Sequence, residues 1–224
     1  MMRLPFLIGF LSLLVSGCGG GSDGNSIHYA ALGASDVVGV GATPLTNGYV
    51  YLIRDSIEQQ RGETVHLENL GIPGADVGTI REVSIEILKR SATPNLVTVS
   101  TGANDLIQGD AVASFERDLQ GLLSDLRAIA PNSTIAVATI PNLLEVPRFR
   151  ENPDRDVTEN RLASFNRAIR RQVGAANAVL VDLYSVPLSD SLVNEIDGFH
   201  PSDAGHRVIA DQFLAVLAPR IPSL

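Results

Sequence analysis

Short runs of β-branched and aliphatic residues alternate five times with stretches whose apolar residues recur at three and four, and this alternation constrains the fold most. The strand-like runs are His28–Gly33 (HYAALG), Glu63–Glu68 (ETVHLE), Asn95–Ser100 (NLVTVS), Ser133–Ile140 (STIAVATI) and Ala178–Leu183 (AVLVDL). Helical patterns follow them at Thr46–Gln60, Asp76–Arg90, Ala111–Ala130, Thr158–Val173 and Ser202–Leu217. In the third of these Val112, Phe115, Leu119, Leu122, Leu126 and Ile129 form one stripe, and Pro131 stops it. Gly174 is placed to be the C-cap of the fourth. Strands apolar along much of their length belong to parallel sheets covered on both faces. Right-handed crossovers then put helices on either side, so the expected fold is α/β, a three-layer αβα sandwich around a five-stranded parallel sheet.

The first 26 residues read differently. Arg3 precedes an apolar run, Leu4–Val15, that is too short to span about 30 Å of hydrocarbon and has the length of a signal-peptide core. It ends in Val15-Ser16-Gly17-Cys18, which looks like a bacterial lipobox, a signal in which the cysteine is acylated and becomes the first residue. Gly19-Gly20-Gly21-Ser22-Asp23-Gly24-Asn25-Ser26 cannot pack and reads as a tether. Residues 1–17 are therefore expected to be a lipoprotein signal peptide, 18–27 the acylated Cys18 and a flexible tether, and 28–224 one domain. That places the body in the bacterial cell envelope, outside the cytoplasm, held to a membrane by lipid on Cys18.

Composition removes several classes. With 17 Lys+Arg against 25 Asp+Glu the formal charge is −8, which repels a nucleic-acid backbone, so no nucleic-acid partner is expected. A single cysteine excludes a disulfide framework and a cysteine-rich metal site. The turn after the first strand, Gly33-Ala34-Ser35-Asp36-Val37-Val38-Gly39, is not a dinucleotide fingerprint. Neither a cofactor nor a metal is expected.

In an open parallel sheet ligands bind beyond the carboxyl ends of the strands. Ser35 follows the first strand, Asn69–Asp76 the second, Thr101-Gly102-Ala103-Asn104-Asp105 the third, and Asp197-Gly198-Phe199-His200 lies beyond the fifth. One hydroxyl, one amide, two glycine-rich turns and an Asp/His pair thus share a rim. A serine needs a base to act as a nucleophile near neutral pH, and the base needs an orienting partner. Asp105 is read as tying down the turn at Asn104. Ile107, Leu143, Val146 and Phe199 are the apolar residues nearest the rim and are read as holding an acyl group. His66 is expected to be packed in its strand, His206 to be structural and His28 exposed. Arg148, Arg150 and Arg155 are read as loop surface or as contacts for an anionic group on the substrate.

These four blocks, in order, resemble the SGNH or GDSL-like serine hydrolases over essentially all of residues 28–217. The resemblance implies a strand order of 2-1-3-4-5, with Ser35 as nucleophile, His200 as base and Asp197 as its partner. It implies an oxyanion hole from the Ser35 N–H, the Gly74 N–H (from Asn69 to Gly74, Asn-x-x-x-x-Gly) and the Asn104 side chain (Gly102-Ala103-Asn104-Asp105). One position departs from the pattern. Ala34 stands where the family has the aspartate of its name, and Asp36 is the candidate to take part of its supporting role. The activity implied is hydrolysis of a small or medium acyl ester through an acyl-enzyme. Two alternatives stand beside it: removal of O-acetyl groups from a polysaccharide, and a binding lipoprotein without turnover, for which Ala34 is the ground.

Overall fold

The computed structural model describes residues 26–220. The expected signal peptide, Cys18 and nearly all of the tether lie outside the described residues. The domain begins one residue earlier than expected, because Ile27 is buried and opens the first strand.

Strands β1 (Ile27–Gly33), β2 (Val65–Gly71), β3 (Leu96–Ser100), β4 (Thr134–Ala138) and β5 (Val179–Val181) form one sheet in the order β2-β1-β3-β4-β5. Every pairing is parallel. Gly33 is in register with Gly71 on one side and with Ser100 on the other, so three strands end on one line. The chain leaves β1 in one direction towards β2 and returns past β1 to β3. That reversal makes the end of β1 the topological switch point, where such sheets bind ligands.

Alternation along the strands builds two cores. Ala30, Leu32, Val97, Val99, Ile135 and Val137 face one layer, packed under α3 (Val77–Leu88), α5 (Val112–Ile129) and α7 (Glu159–Ala175). Tyr29, Ala31, Leu96, Ala136 and Ala138 face the other, under α2 (Tyr49–Arg61) and α8 (Asp203–Leu217). The short alanines on this second side let α2 and α8 approach closely, and Tyr49 stacks on Phe213 at 5.4 Å. On the first side Phe115 of α5 stacks on Phe165 of α7 at 4.7 Å.

Three readings of the sequence need correction. β2 starts at Val65 and runs on to Gly71, taking in Asn69 and Leu70, which lie beyond the expected strand end at Glu68. Gly174 is not a cap: α7 passes through it to Ala175, and the left-handed residue is Asn177, φ 49°. Asparagine tolerates that conformation, and the Arg127 guanidinium donates to the carbonyls of Ala176 and Asn177, closing the helix end. His66 is exposed rather than packed, stacked on His28 at 5.1 Å. The short helices α1 (Ser35–Val38), α4 (Ala103–Ile107) and α6 (Pro147–Glu151) are too brief to show periodicity in sequence, and the first two lie at the rim.

Candidate active site

Ser35 is the first residue of α1, so it stands at the end of β1 where helix-start N–H groups lack intrahelical acceptors. His200 and Asp197 arrive on the long connection from β5 to α8. An antiparallel bridge between Val193 and Pro201 pinches that connection into a closed loop. Asn194 holds the loop from inside: its N–H donates to His200 O (2.8 Å), its carbonyl accepts from Gly198 N, and its Oδ1 accepts from Ile196 N. Its Nδ2 donates to Gly41 O at 2.9 Å, which ties the loop to the segment after α1. Gly41 is required there: φ is +97°, and a Cβ would stand 2.2 Å from Pro201 O and 3.0 Å from His200 Cβ.

The three side chains form a continuous relay. Asp197 Oδ1 accepts from the N–H groups of Phe199 (2.9 Å) and His200 (3.0 Å). Its Oδ2 accepts from His200 Nδ1 at 2.6 Å. With the proton on Nδ1, Nε2 carries the lone pair, and Ser35 Oγ–H donates to it at 2.8 Å. Partial burial works to raise the Asp197 pKa, but the bonds from His200 and the two backbone N–H groups outweigh it and hold the carboxyl below the ordinary range. The carboxylate is therefore ionised at neutral pH and suited to orient an imidazole.

Across from this relay, Ile72-Pro73-Gly74-Ala75 is a β-turn closed by Ala75 N–H to Ile72 O at 3.1 Å. Proline second and a glycine at φ +79° third make it type II. Asn104, the second residue of α4, donates through Nδ2 to Ala75 O at 2.9 Å, and Gln108 Nε2 donates to Gly74 O. The buried Asp105 carboxylate accepts from Val77 N–H at the start of α3. Asp105 thus ties α4 to the helix that follows the Gly74 turn, beyond the local tie expected of it. Burial pushes its pKa to about 6 against that hydrogen bond.

Below Ser35 a cavity of ≈ 110 Å³ opens between the β4–α7 and β5–α8 connections. Of the four apolar residues read as holding an acyl group, Leu143, Val146 and Phe199 line it; Ile107 does not, and packs half-buried against the core instead. Sequence reasoning missed Val186, Leu188, Leu192 and Val193 from the loop, and Val208 from α8. No periodicity marked the loop residues, although the apolar letters in so long a connection were the available signal. Arg150 is paired with Asp190 and Arg155 with Asp156. Arg148 lies over the Phe149 and Phe199 rings, each at 5.2 Å.

His206 is fully buried, as a structural residue should be. Its Nδ1 accepts from Tyr49 N–H, its Nε2–H donates to Val40 O, and burial holds its pKa below the ordinary value. Asp36 accepts from Ser100 Oγ at 2.6 Å, and burial pushes its carboxyl above the usual range against that bond.

With this arrangement in view, comparison with known proteins is decisive for the family. Residues 31–208 match the GDSL-like Lipase/Acylhydrolase family. The chain belongs to that family. It is a hydrolase acting on ester bonds, of the serine-esterase and lipase type on the SGNH fold. Its curated relatives include the spore germination lipase LipC of Bacillus licheniformis, 23% identical over 208 residues, covering 85% of this chain and 96% of that protein. Among solved structures it is similar to the psychrotrophic esterase EstA from Pseudoalteromonas sp., inhibited by monoethylphosphonate (TM-score 0.67, 20% identity, 86% of this chain and 97% of that one). A Clostridium thermocellum family 3 carbohydrate esterase is similar in the same way (TM-score 0.69, 18% identity, 87% and 96%). At these identities the solved structures speak for the fold, and this GDSL-like chain keeps the five-stranded order throughout.

Proposed function

We propose that this GDSL-like hydrolase cleaves short-chain carboxylic esters, with Ser35 as nucleophile, His200 as general base and acid, and Asp197 as the residue that orients the imidazole. The observation that carries the reading is the unbroken relay from Asp197 Oδ2 through His200 to Ser35 Oγ, at 2.6 and 2.8 Å. His200 Nε2 takes the hydroxyl proton as Ser35 Oγ bonds to the ester carbonyl carbon. The carbonyl π pair moves to oxygen, where the N–H groups of Ser35 and Gly74 and the second Nδ2–H of Asn104 receive it. The imidazolium gives its proton to the departing alkoxide, leaving an acyl-serine and a free alcohol. Water then attacks the acyl carbon as His200 takes its proton, and the acid is released with Ser35 restored.

The cavity supports a short acyl group. Its ≈ 110 Å³ is smaller than the roughly 150 Å³ apolar void that accepts benzene, which favours a small acyl group. An acetyl group on a polysaccharide is the second reading, supported by the same small volume and by the likeness of the fold to a carbohydrate esterase. With no Trp and four Tyr the chain has few rings on which sugars could stack. We also propose that Cys18 carries the lipid anchor. Among the described residues no helix is long and apolar enough to cross a membrane, so the membrane link in this reading rests on Cys18. Changing Cys18→Ser should release the protein from the membrane fraction; unchanged partition overturns the anchor.

Labelling with a fluorophosphonate tests the mechanism, because a phosphonyl group traps an activated serine. Wild type should be labelled and Ser35→Ala should not. Hydrolysis of 4-nitrophenyl acetate and butyrate should exceed that of the octanoate and dodecanoate. A folded wild type that takes no label and cleaves none of these esters or an acetylated glycan would be a binding protein.

A further inference from the structure

The turn that presents Ser35 has little to hold it locally. Helix α1 is four residues long, one turn, and a helix of that length does not persist alone. Its N-cap is Ala34, which offers no side-chain cap to the orphan N–H groups. Besides the burial of Val37, α1 is held by side chains from the two strands beside β1. From β2, Asn69 Nδ2 donates to Val37 O at 2.8 Å. From β3, Ser100 Oγ donates to Asp36 Oδ2 at 2.6 Å. The register explains why these two meet: Gly33, the last residue of β1, lies directly beside Ser100, so a side chain starting α1 can reach over the end of β1 to the β3 hydroxyl.

We propose that Asp36 is a positioning residue for the nucleophile, clamping the Ser35 turn to β3 through Ser100 and supplying the carboxylate that Ala34 cannot. The inference rests on Ser35 being the nucleophile. The two clamps oppose each other across β1, one pulling α1 towards β2 and one towards β3. Removing either lets the turn drift, and a displacement near 1 Å is enough to cost about 10²-fold in rate. Neither residue gives or takes a proton in the reaction, so the effect enters through the placement of Ser35 Oγ against His200 Nε2.

The test is a double-mutant cycle on the full chain, reading kcat, KM and the rate of fluorophosphonate labelling. Asp36→Ala and Ser100→Ala should each lower kcat and the labelling rate by about 10- to 100-fold, with KM changed less than about threefold. The double variant should be no worse than the poorer single one, since both remove one contact. Asp36→Asn keeps an oxygen that can accept from Ser100, and should recover most of the lost labelling rate. If Asp36→Ala fails to fold, Ser100→Ala and Asp36→Asn carry the test. Labelling at the wild-type rate in Ser100→Ala, losses that simply multiply in the double variant, or an Asp36→Asn as slow as Asp36→Ala would each overturn the clamp. Absence of label on Ser35 in the wild type would instead overturn the nucleophile assignment itself.

Discussion

Ser35 Oγ and His200 Nε2 stand 2.8 Å apart although 165 residues separate them in the chain. The two belong to opposite ends of the fold's connectivity, since His200 follows β5, three strands away from β1 in the sheet. Only the folded-back connection from β5 to α8 brings them together. Its closure by Asn194, by the Val193–Pro201 bridge and by contact with Gly41 is therefore as much a part of the site as the relay itself.

Gly41→Ala tests that dependence. The new Cβ would meet Pro201 O and crowd His200 Cβ, and the residue would be left at φ +97°. The backbone conformation alone costs about 1–2 kcal/mol. Relief by moving the 194–201 loop would displace the imidazole, so turnover should fall by at least about tenfold while Ser35 remains intact. Thermal unfolding and fluorophosphonate labelling, measured together, read both effects. Wild-type labelling in this variant would mean that the loop is not held against Gly41.

Asp197→Asn should lower kcat on the order of 10³–10⁴-fold. Its amide nitrogen would face either His200 Nδ1 or the N–H groups of Phe199 and His200, all donors in the present arrangement. Either the imidazole proton moves to Nε2, where it can no longer accept from Ser35, or the loop opens. A steady-state comparison on 4-nitrophenyl acetate checks this, and a loss of less than tenfold would remove Asp197 from the relay.

In the proposed mechanism the Asn104 amide serves charge that exists only in the transition state, so Asn104→Ala should lower kcat by about 10²–10³-fold with little change in KM. The same Nδ2 also donates to Ala75 O, so part of the loss comes from loosening the turn that carries Gly74. Asn104→Asp keeps the size, removes both donations, and adds a negative charge beside the developing oxyanion. It should be slower still.

Asp105 makes stability depend on pH in an unusual direction for a carboxylate. Its pKa is about 6 in the folded chain, above the ordinary 3.8, so the native state holds the proton more tightly than the unfolded state. Stability from this group is present in full below about pH 4 and is lost as pH rises through about 6. Asp105→Asn keeps an acceptor for Val77 N–H and cannot ionise. Relative to wild type it should gain on the order of 2 kcal/mol between pH 4 and pH 7. Denaturant unfolding at several pH values reads the difference, and a constant gap across that range would refute it.

The strands and the five long helices were legible because each rests on periodicity, and the strand order followed from the family that the ordered motifs resemble. Phe115, Leu119, Leu122 and Leu126 declare α5 in any setting, and the four blocks place Ser35, Gly74, Asn104 and His200 on one rim. The failures have a common cause in tertiary context. Helix α1 is tied by hydrogen bonds to Asn69 and Ser100 on the neighbouring strands, and its four residues carry no helical repeat. Asn177 rather than Gly174 turns the end of α7 because Arg127 reaches across from α5 to its carbonyls. Ile107 fell outside the cavity, and Val186, Leu188 and Leu192 fell inside it, because the path of a loop is set by what it packs on and leaves no repeat in the sequence.

In the proposed reading that loop also sets the acyl length. Leu143, buried in the turn after β4, faces the cavity that Val186, Leu188 and Leu192 close from the other side. Leu143→Ala removes three carbons from the wall, costs about 2–5 kcal/mol of stability, and lengthens the space below Ser35. The preferred 4-nitrophenyl ester should shift towards longer acyl chains, octanoate gaining on acetate by about tenfold or more, since each buried methylene contributes about 0.8 kcal/mol. Val208→Phe, from the α8 side, should do the reverse and leave acetate the best substrate. If neither change moves the ratio of octanoate to acetate, the acyl group lies elsewhere on the rim, and the cavity holds the alcohol side of the ester instead.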